Sequence, residues 1–131
     1  MAQKALCLVT GGAGFIGSHV AEGLLAEGFP VRVFDNLSTG KSENLKGMKG
    51  SLELQHGDLR RERDIQKAVK KVRYVFHLAA NRAVLRSVDN PLETNAVNVT
   101  GTLQLLLAAR EAGVKRLVFS SSSSIYGETK K

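Results

Sequence analysis

The fold class the sequence predicts is a doubly wound α/β domain, a parallel sheet with helices on both faces. Three observations predict it. Short apolar runs alternate with stretches of helical periodicity along the chain. The first run, residues 5–9, carries no charge, as a strand covered on both faces should. That run enters a turn dense in glycine, beyond which Ile16, Val20 and Leu24 recur at helical spacing.

The length of 131 residues suits one domain with a real core. A net charge of +7 raises the question of nucleic acid. The basic residues are scattered, with local groups at Arg60, Arg61, Arg63 and at Lys70, Lys71, Arg73, and aromatics do not interleave with them. A solvated basic face is the reading, and no nucleic-acid partner is expected. The single cysteine, Cys7, sits mid-strand, which excludes an intramolecular disulfide and suits a buried apolar role. No secretory signal or spanning apolar segment is visible, so no membrane partner is expected and a cytoplasmic location is the default.

The glycine turn carries the first functional signal. Gly12, Gly14 and Gly17 satisfy G-x-G-x-x-G, and Gly11, Gly14 and Gly17 satisfy G-x-x-G-x-x-G. Such glycines allow a tight turn, close approach of backbone to a pyrophosphate, and close packing of helix on strand. The free N–H groups and positive dipole end of the following helix then face phosphate. Residues 31–34 read as a second strand ending in Asp35. A carboxylate there can accept hydrogen bonds from both hydroxyls of an adenosine ribose and repels a 2′-phosphate. The pattern predicts a Rossmann-type dinucleotide site with NAD favoured over NADP; the alternative is a plain glycine turn with a surface aspartate.

Residues 36–45 form a polar, turn-rich loop that can close over a cofactor, or serve as a mere connector from Lys41 onward. Residues 51–55 alternate Leu52 and Leu54 with polar side chains and read as a short edge strand. Asp58, which follows, can bond an adenine amino group or cap the next helix. That helix spans residues 60–71 and shows an apolar face of Ile65, Ala68 and Val69. Residues 72–80 read as a strand ending in small side chains, which leave room for a ligand at the switch point of the sheet. His77 reads as a packed strand residue, and His19 as structural. From Ser87 the chain reads helical, with Pro91 near its start; Leu103, Leu106, Leu107 and Ala109 continue an apolar face, and Gly113 caps the end. Residues 114–120 make a fifth strand, followed by a serine run and Tyr126-Gly127.

Taken together, residues 10–19, 35–37, 57–59, 76–80, 98–102 and 120–127 resemble the cofactor-binding half of an extended short-chain dehydrogenase/reductase. Within that group the chain is similar to the NAD-dependent epimerase/dehydratase family and its UDP-sugar 4-epimerases. The resemblance spans essentially the whole chain. It implies that Gly11, Gly14, Phe15 and Ile16 contact the pyrophosphate, and that Asp35, Asn36, Ser38 and Gly40 surround the adenosine ribose. It places Asp58 and Leu59 at adenine, Leu78, Ala79 and Ala80 along the cofactor's path with Arg82 nearby, and Asn98 near the nicotinamide.

The implied chemistry is transient oxidation at the fourth carbon of a UDP-sugar, with hydride returned to the other face. A hydroxyl resembling Ser122 relays hydrogen bonds between sugar and a tyrosine base, and Ser124 touches the sugar. The family's Tyr-x-x-x-Lys pair lies on a helix well beyond the serine-rich strand end. Tyr126 and Lys130 match that pattern literally, but Gly127 disfavours a helix there, and the family carries a different, non-catalytic tyrosine before that glycine. The catalytic pair is therefore expected beyond residue 131, and residues 1–131 are expected to be an NAD-binding fragment, truncated after about the fifth strand and inactive alone. Dehydratases of the family place an Asp-Glu pair where Ser123 and Ser124 stand. A non-enzymatic NAD-binding module is the rival from another class. No metal is expected. Family members pair through two helices, one corresponding to residues 87–112, so a homodimer or larger species is expected.

Overall fold

The computed structural model describes residues 3–82, 84–128 and 130. Five strands form one parallel sheet in the order β3-β2-β1-β4-β5. They are β1 (Leu6–Thr10), β2 (Val31–Asp35), β3 (Leu52–His56), β4 (Val72–His77) and β5 (Arg116–Phe119). The chain reverses direction across the sheet between β1 and β4, which is where an open α/β sheet leaves a crevice at its carboxyl edge.

Alternation of side chains along the strands builds a core on each face. Val9, Val31 and Val33 pack with Ala21 and Leu25 of helix α1 (Phe15–Ala26) and with Leu45 of a 3-10 turn, Ser42–Leu45. Leu8, Phe34 and Val75 pack on the other face with Ile65 and Ala68 of α2 (Glu62–Ala68) and Leu105 of α5 (Gly101–Glu111). Two short helices, α3 (Val84–Asp89) and α4 (Pro91–Asn95), precede α5, and a π turn, Ala96–Thr100, joins α4 to it.

Several expectations shift. The helix read continuously from Ser87 is broken at Asn90, whose side chain accepts the Glu93 N–H and starts α4 afresh. The strand read as residues 72–80 ends at His77; Leu78, Ala79 and Ala80 leave the ladder as a loop. Helix α2 is shorter than residues 60–71, and Asp58 does not cap it: the cap position is Arg61, and the Asp58 carboxylate is held by Arg60. On α1 the buried stripe is Gly17, Ser18, Ala21 and Leu25, so Ile16 is turned off the core and half exposed. On α5 the sheet-facing residues are Gly101, Leu105 and Ala109, while Leu103, Leu106 and Leu107 face outward. Gly113 follows α5 with φ 77°, and its N–H and that of Val114 return to the carbonyls of Arg110 and Ala109, as a left-handed C-terminal cap requires.

Candidate functional site

The glycine turn is shaped by contacts that no side chain could share. Gly11 has φ 67°, and a Cβ there would stand 2.9 Å from the Ala79 backbone nitrogen. A Cβ on Gly17 would stand 2.1 Å from the Gly11 carbonyl oxygen, so α1 starts hard against the turn only because residue 17 is glycine. Gly14 precedes α1 without any side-chain cap. The first N–H groups of the helix therefore point outward with no intrahelical acceptor, the arrangement that receives an anion.

Asp35 ends β2 beside this turn and is buried. Its Oδ2 accepts the Ala13 N–H at 2.9 Å and its Oδ1 accepts the Leu37 N–H at 2.8 Å. Each oxygen keeps a lone pair, so the carboxylate is fixed in place and still able to accept from a ligand. Leu37 is held in the left-handed region, φ 60°, in forming this contact.

The predicted cofactor residues come together. Gly11, Gly14, Phe15, Ile16, Asp35, Asn36, Ser38, Gly40, Asp58, Leu59, Leu78, Ala79 and Ala80 line one cleft, and Arg82 joins them. Asn98 lies outside that cleft and lines an adjoining cavity, together with Ser122 and the stretch from His77 to Arg82. Both ends of its amide are already engaged: Asn81 N–H donates to Oδ1 at 2.8 Å and Nδ2 donates to the Asn81 carbonyl at 2.9 Å. Asn98 thus holds the loop after β4, and each end of its amide keeps capacity for one further hydrogen bond. Ser124 borders neither cavity; its N–H donates to Ser122 Oγ at 3.1 Å.

Tyr126 is exposed in the 3-10 turn Ser123–Tyr126, which ends at Gly127 with φ 64°, and it lines neither cavity. Lys130 is exposed and Thr129 lies outside the described residues. The literal Tyr-x-x-x-Lys match therefore does not sit on one helical face.

Sequence reasoning missed several members. Thr10 Oγ1 accepts the N–H groups of both Leu78 and Ala79 at 3.1 Å, tying β1 to the loop that lines the cleft. With two donors aimed at it, that hydroxyl gives its proton to His77 Nδ1 at 2.6 Å, and Nε2–H of the ring then donates to Thr102 Oγ1 at 2.9 Å. Burial pushes the His77 pKa down to about 4, so the ring is neutral and structural, as its place in the strand suggested. Asn81, Val97, Ser120 and Ser121 also line the cleft. Asn81 Nδ2 is buried there with no protein partner, a donor left over for something else. Among the described residues, no group of three His, Cys, Asp or Glu side chains stands ready to hold a metal ion, and no helix is long and apolar enough to cross a membrane.

Residues 7–131 match the NAD dependent epimerase/dehydratase family. The chain is similar to UDP-glucose 4-epimerase of Klebsiella pneumoniae, 42% identical over 132 residues, which cover 95% of this chain and 94% of that protein. Among solved structures it is similar to UDP-glucose 4-epimerase of Thermus thermophilus in complex with NAD. There the TM-score is 0.87 and the identity 45%, over 96% of this chain and 40% of that one. It is similar also to dTDP-glucose 4,6-dehydratase of Streptomyces venezuelae with NAD and TYD bound, with TM-score 0.86 and 36% identity over 96% of this chain and 42% of that one. The chain spans about two fifths of the length of many curated relatives it matches. With the family model matched over residues 7–131 and relatives of like sequence and fold, the chain belongs to the NAD dependent epimerase/dehydratase family.

Proposed function

We propose that the chain is the NAD-binding part of an enzyme that inverts the fourth carbon of a UDP-hexose of the UDP-glucose/UDP-galactose type. The Asp35 carboxylate carries the reading: it is pinned by two backbone N–H groups beside a glycine turn, with lone pairs left for a ribose diol. The residues present fit a dinucleotide. Gly11 and Gly14 line the cleft with bare backbone, the start of α1 offers N–H groups to a pyrophosphate, and the orphaned Asn81 Nδ2 offers a donor farther along. Gly11, Phe15 and Ile16 would flank the pyrophosphate, Asn36, Ser38 and Gly40 the ribose, Asp58 and Leu59 the adenine, and Leu78, Ala79 and Ala80 the path toward the nicotinamide.

When bound, NAD supplies a reversible hydride acceptor for the sugar's fourth carbon. The protein's own work is orientation and proton handling. Thr10 fixes the backbone of the loop after β4 at Leu78 and Ala79 and Asn98 fixes it at Asn81, so the wall of the reaction cavity is set before a sugar arrives. Ser122 Oγ accepts the Ser124 N–H, which leaves its own proton free to point into the adjoining cavity toward a sugar hydroxyl. Ser124 acts through Ser122 in this arrangement. The tyrosine base of the reaction is not Tyr126, which is exposed and lines neither cavity. Similarity to a dehydratase favours elimination as a second reading. Ser123 and Ser124 provide no carboxyl where the family's dehydratases carry their acid and base, which weighs against it.

Titration of NAD and NADP against the chain tests the cofactor part. NAD is expected to bind at least about tenfold more tightly, and Asp35→Ala to weaken NAD and narrow the gap. Equal affinity of the unsubstituted chain for both cofactors would sink it. Binding without conversion of UDP-galactose is expected of this chain alone. A longer version carrying the remainder should give UDP-glucose; a 4-keto-6-deoxy product there would establish the dehydratase instead.

A further inference from the structure

The loop between β3 and α2 carries a side-chain arrangement that the cofactor reading does not use. Arg60 grips Asp58 across one intervening residue. The Arg60 N–H donates to Asp58 Oδ1 at 2.8 Å, Nε donates to Oδ1 at 3.0 Å and to Oδ2 at 3.2 Å, and Nη2 donates to Oδ2 at 2.6 Å. The Asp58 backbone is fixed as well, its N–H donating to Asp64 Oδ2 at 3.0 Å. Asp58 is mostly buried while Arg60 is half exposed, so the guanidinium lies on the solvent side and the carboxylate on the cleft side. Arg60 is steadied in turn: its Nη1 stands 3.8 Å from Glu93 Oε1. Glu93 is held by the Asn90 cap, which accepts the Glu93 N–H and donates Nδ2 to Oε2 at 3.0 Å.

We propose that Arg60 is a positioning residue that sets which base the cofactor site accepts, by holding the Asp58 carboxylate as a fixed acceptor in the cleft. The proposal rests on the reading that the cleft takes NAD with its adenine at Asp58. The chemistry is a matter of donor and acceptor. An ionised carboxylate only accepts, so it welcomes a 6-amino group and repels a 6-oxo group at the same place. An aspartate is already charged and acceptor-only near neutral pH, and Arg60, through the side-chain hydrogen bond first, lowers the Asp58 pKa further. A planar fork also fixes the plane of the carboxylate, which a lysine point charge cannot do. Without the fork the carboxylate keeps only the residue-60 backbone N–H on Oδ1, and the cost of fixing its plane must be met when the ligand binds.

The test compares NAD with nicotinamide hypoxanthine dinucleotide, which differs by a 6-oxo group for the 6-amino group. Dissociation constants for both are measured by calorimetric titration with the unsubstituted chain and with Asp58→Ala, Arg60→Gln and Arg60→Lys. The unsubstituted chain should prefer NAD by about tenfold to a hundredfold, the range of a hydrogen bond to a charged group. Asp58→Ala should abolish the preference. Arg60→Gln should bring it close to the Asp58→Ala value, mainly by weakening NAD, and Arg60→Lys should recover only part of it. Thermal midpoints of the Arg60 variants should stay near the parent's, since an ion pair whose cation is half exposed contributes little to folding.

An unchanged preference in Arg60→Gln means a surface ion pair only and overturns the proposal. Equal weakening of both dinucleotides, with a lower midpoint, means a purely structural role and overturns it too. If Asp58→Ala itself keeps the parent's preference, adenine does not lie at Asp58 and the underlying placement fails. If the unsubstituted chain binds neither dinucleotide, the cofactor reading and this proposal fall together.

Discussion

The two halves of the sheet, on either side of the switch between β1 and β4, are finished differently, although β3 and β5 are both edge strands. β2 is buried except for Arg32, lies between β1 and β3, and is covered by α1 and the Ser42–Leu45 turn. β5 pairs with β4 alone, and its Val118 and Phe119 are 48% and 56% exposed. The helix over that side repeats the contrast, because Leu105 is buried while Leu103, Leu106 and Leu107 are between 41% and 56% exposed. The Asp35 side of the cleft is thus built from neighbours in sequence, strand–turn–helix–strand, and closes on itself. The other side sets its polar groups on a framework whose outer surface is still apolar.

The packed end should break most severely. An added Cβ at Gly17 meets a backbone oxygen rather than a movable side chain, so Gly17→Val should cost about 3 kcal/mol or more and lower the thermal midpoint by roughly 10 °C. NAD binding should go with it. Gly23 on the same helix has nothing within 4 Å of an added Cβ, so Gly23→Ala should raise stability by up to about 1 kcal/mol. Equal melting of the two variants would refute the packing argument.

The seam between the two halves should respond to pH. His77 has its folded pKa at about 4, below the ordinary histidine value near 6.5. Above pH 6.5 the ring is neutral in both states and its contribution to folding is fully present. As pH falls from 6.5 toward 4 the unfolded chain takes up the proton first, and up to about 3 kcal/mol of stability is lost before the folded ring also protonates. Urea melts between pH 7 and pH 4, with His77→Gln as the comparison, should show that extra loss in the parent alone. Identical slopes in parent and variant would remove His77 from the account.

The open end should associate. The outward leucines of α5, beside a strand paired on one side only, offer apolar surface and unpaired backbone to a second chain. Light scattering across concentration should show dimers or larger species. Leu103→Lys with Leu107→Lys should weaken the association by about tenfold or more, the scale of burying a leucine or two. A monomer at high concentration would end this reading and with it the idea that the two halves differ in consequence.

What the sequence made legible follows the same division. The glycine turn, Asp35 and the strand leading to each were readable because their signals are local and their chemistry allows few substitutes. Strand ends fell within a residue or two for β1, β2 and β3. The stripes of α1 and α5 were not readable, since both helices have apolar residues on more than one face. On α1 the sheet selects Gly17 and Ala21, because the turn forces so close an approach that small residues win over Ile16. On α5 it selects Gly101, Leu105 and Ala109, with Gly101 pressed against Leu59 in the same way. The roles of Thr10 and Asn98 depend on partners 68 and 17 residues away, so nothing beside them in the chain announces either.

The smallest effect separates two ways of leaving a helix. α1 and α5 are followed by Gly28 and Gly113, each with positive φ, where glycine meets no Cβ penalty. α2 leaves instead through Lys71, with φ 62°, and Arg32 secures the exit by donating from Nη1 to the carbonyls of Ala68 and Lys70 at 2.7 and 2.8 Å. A left-handed lysine costs about 1–2 kcal/mol relative to glycine in the same conformation. Lys71 is exposed, so Lys71→Gly sacrifices little packing. Against the relief stands the added freedom of glycine in the unfolded chain, worth about 0.4–1 kcal/mol. The difference is a gain of roughly 0.5 kcal/mol, a rise of about 2 °C in the thermal midpoint. Lys71→Ala removes the long side chain but keeps the Cβ, so it should leave the midpoint unchanged; if alanine stabilises as much as glycine, repulsion from neighbouring cations and not backbone conformation governs this exit.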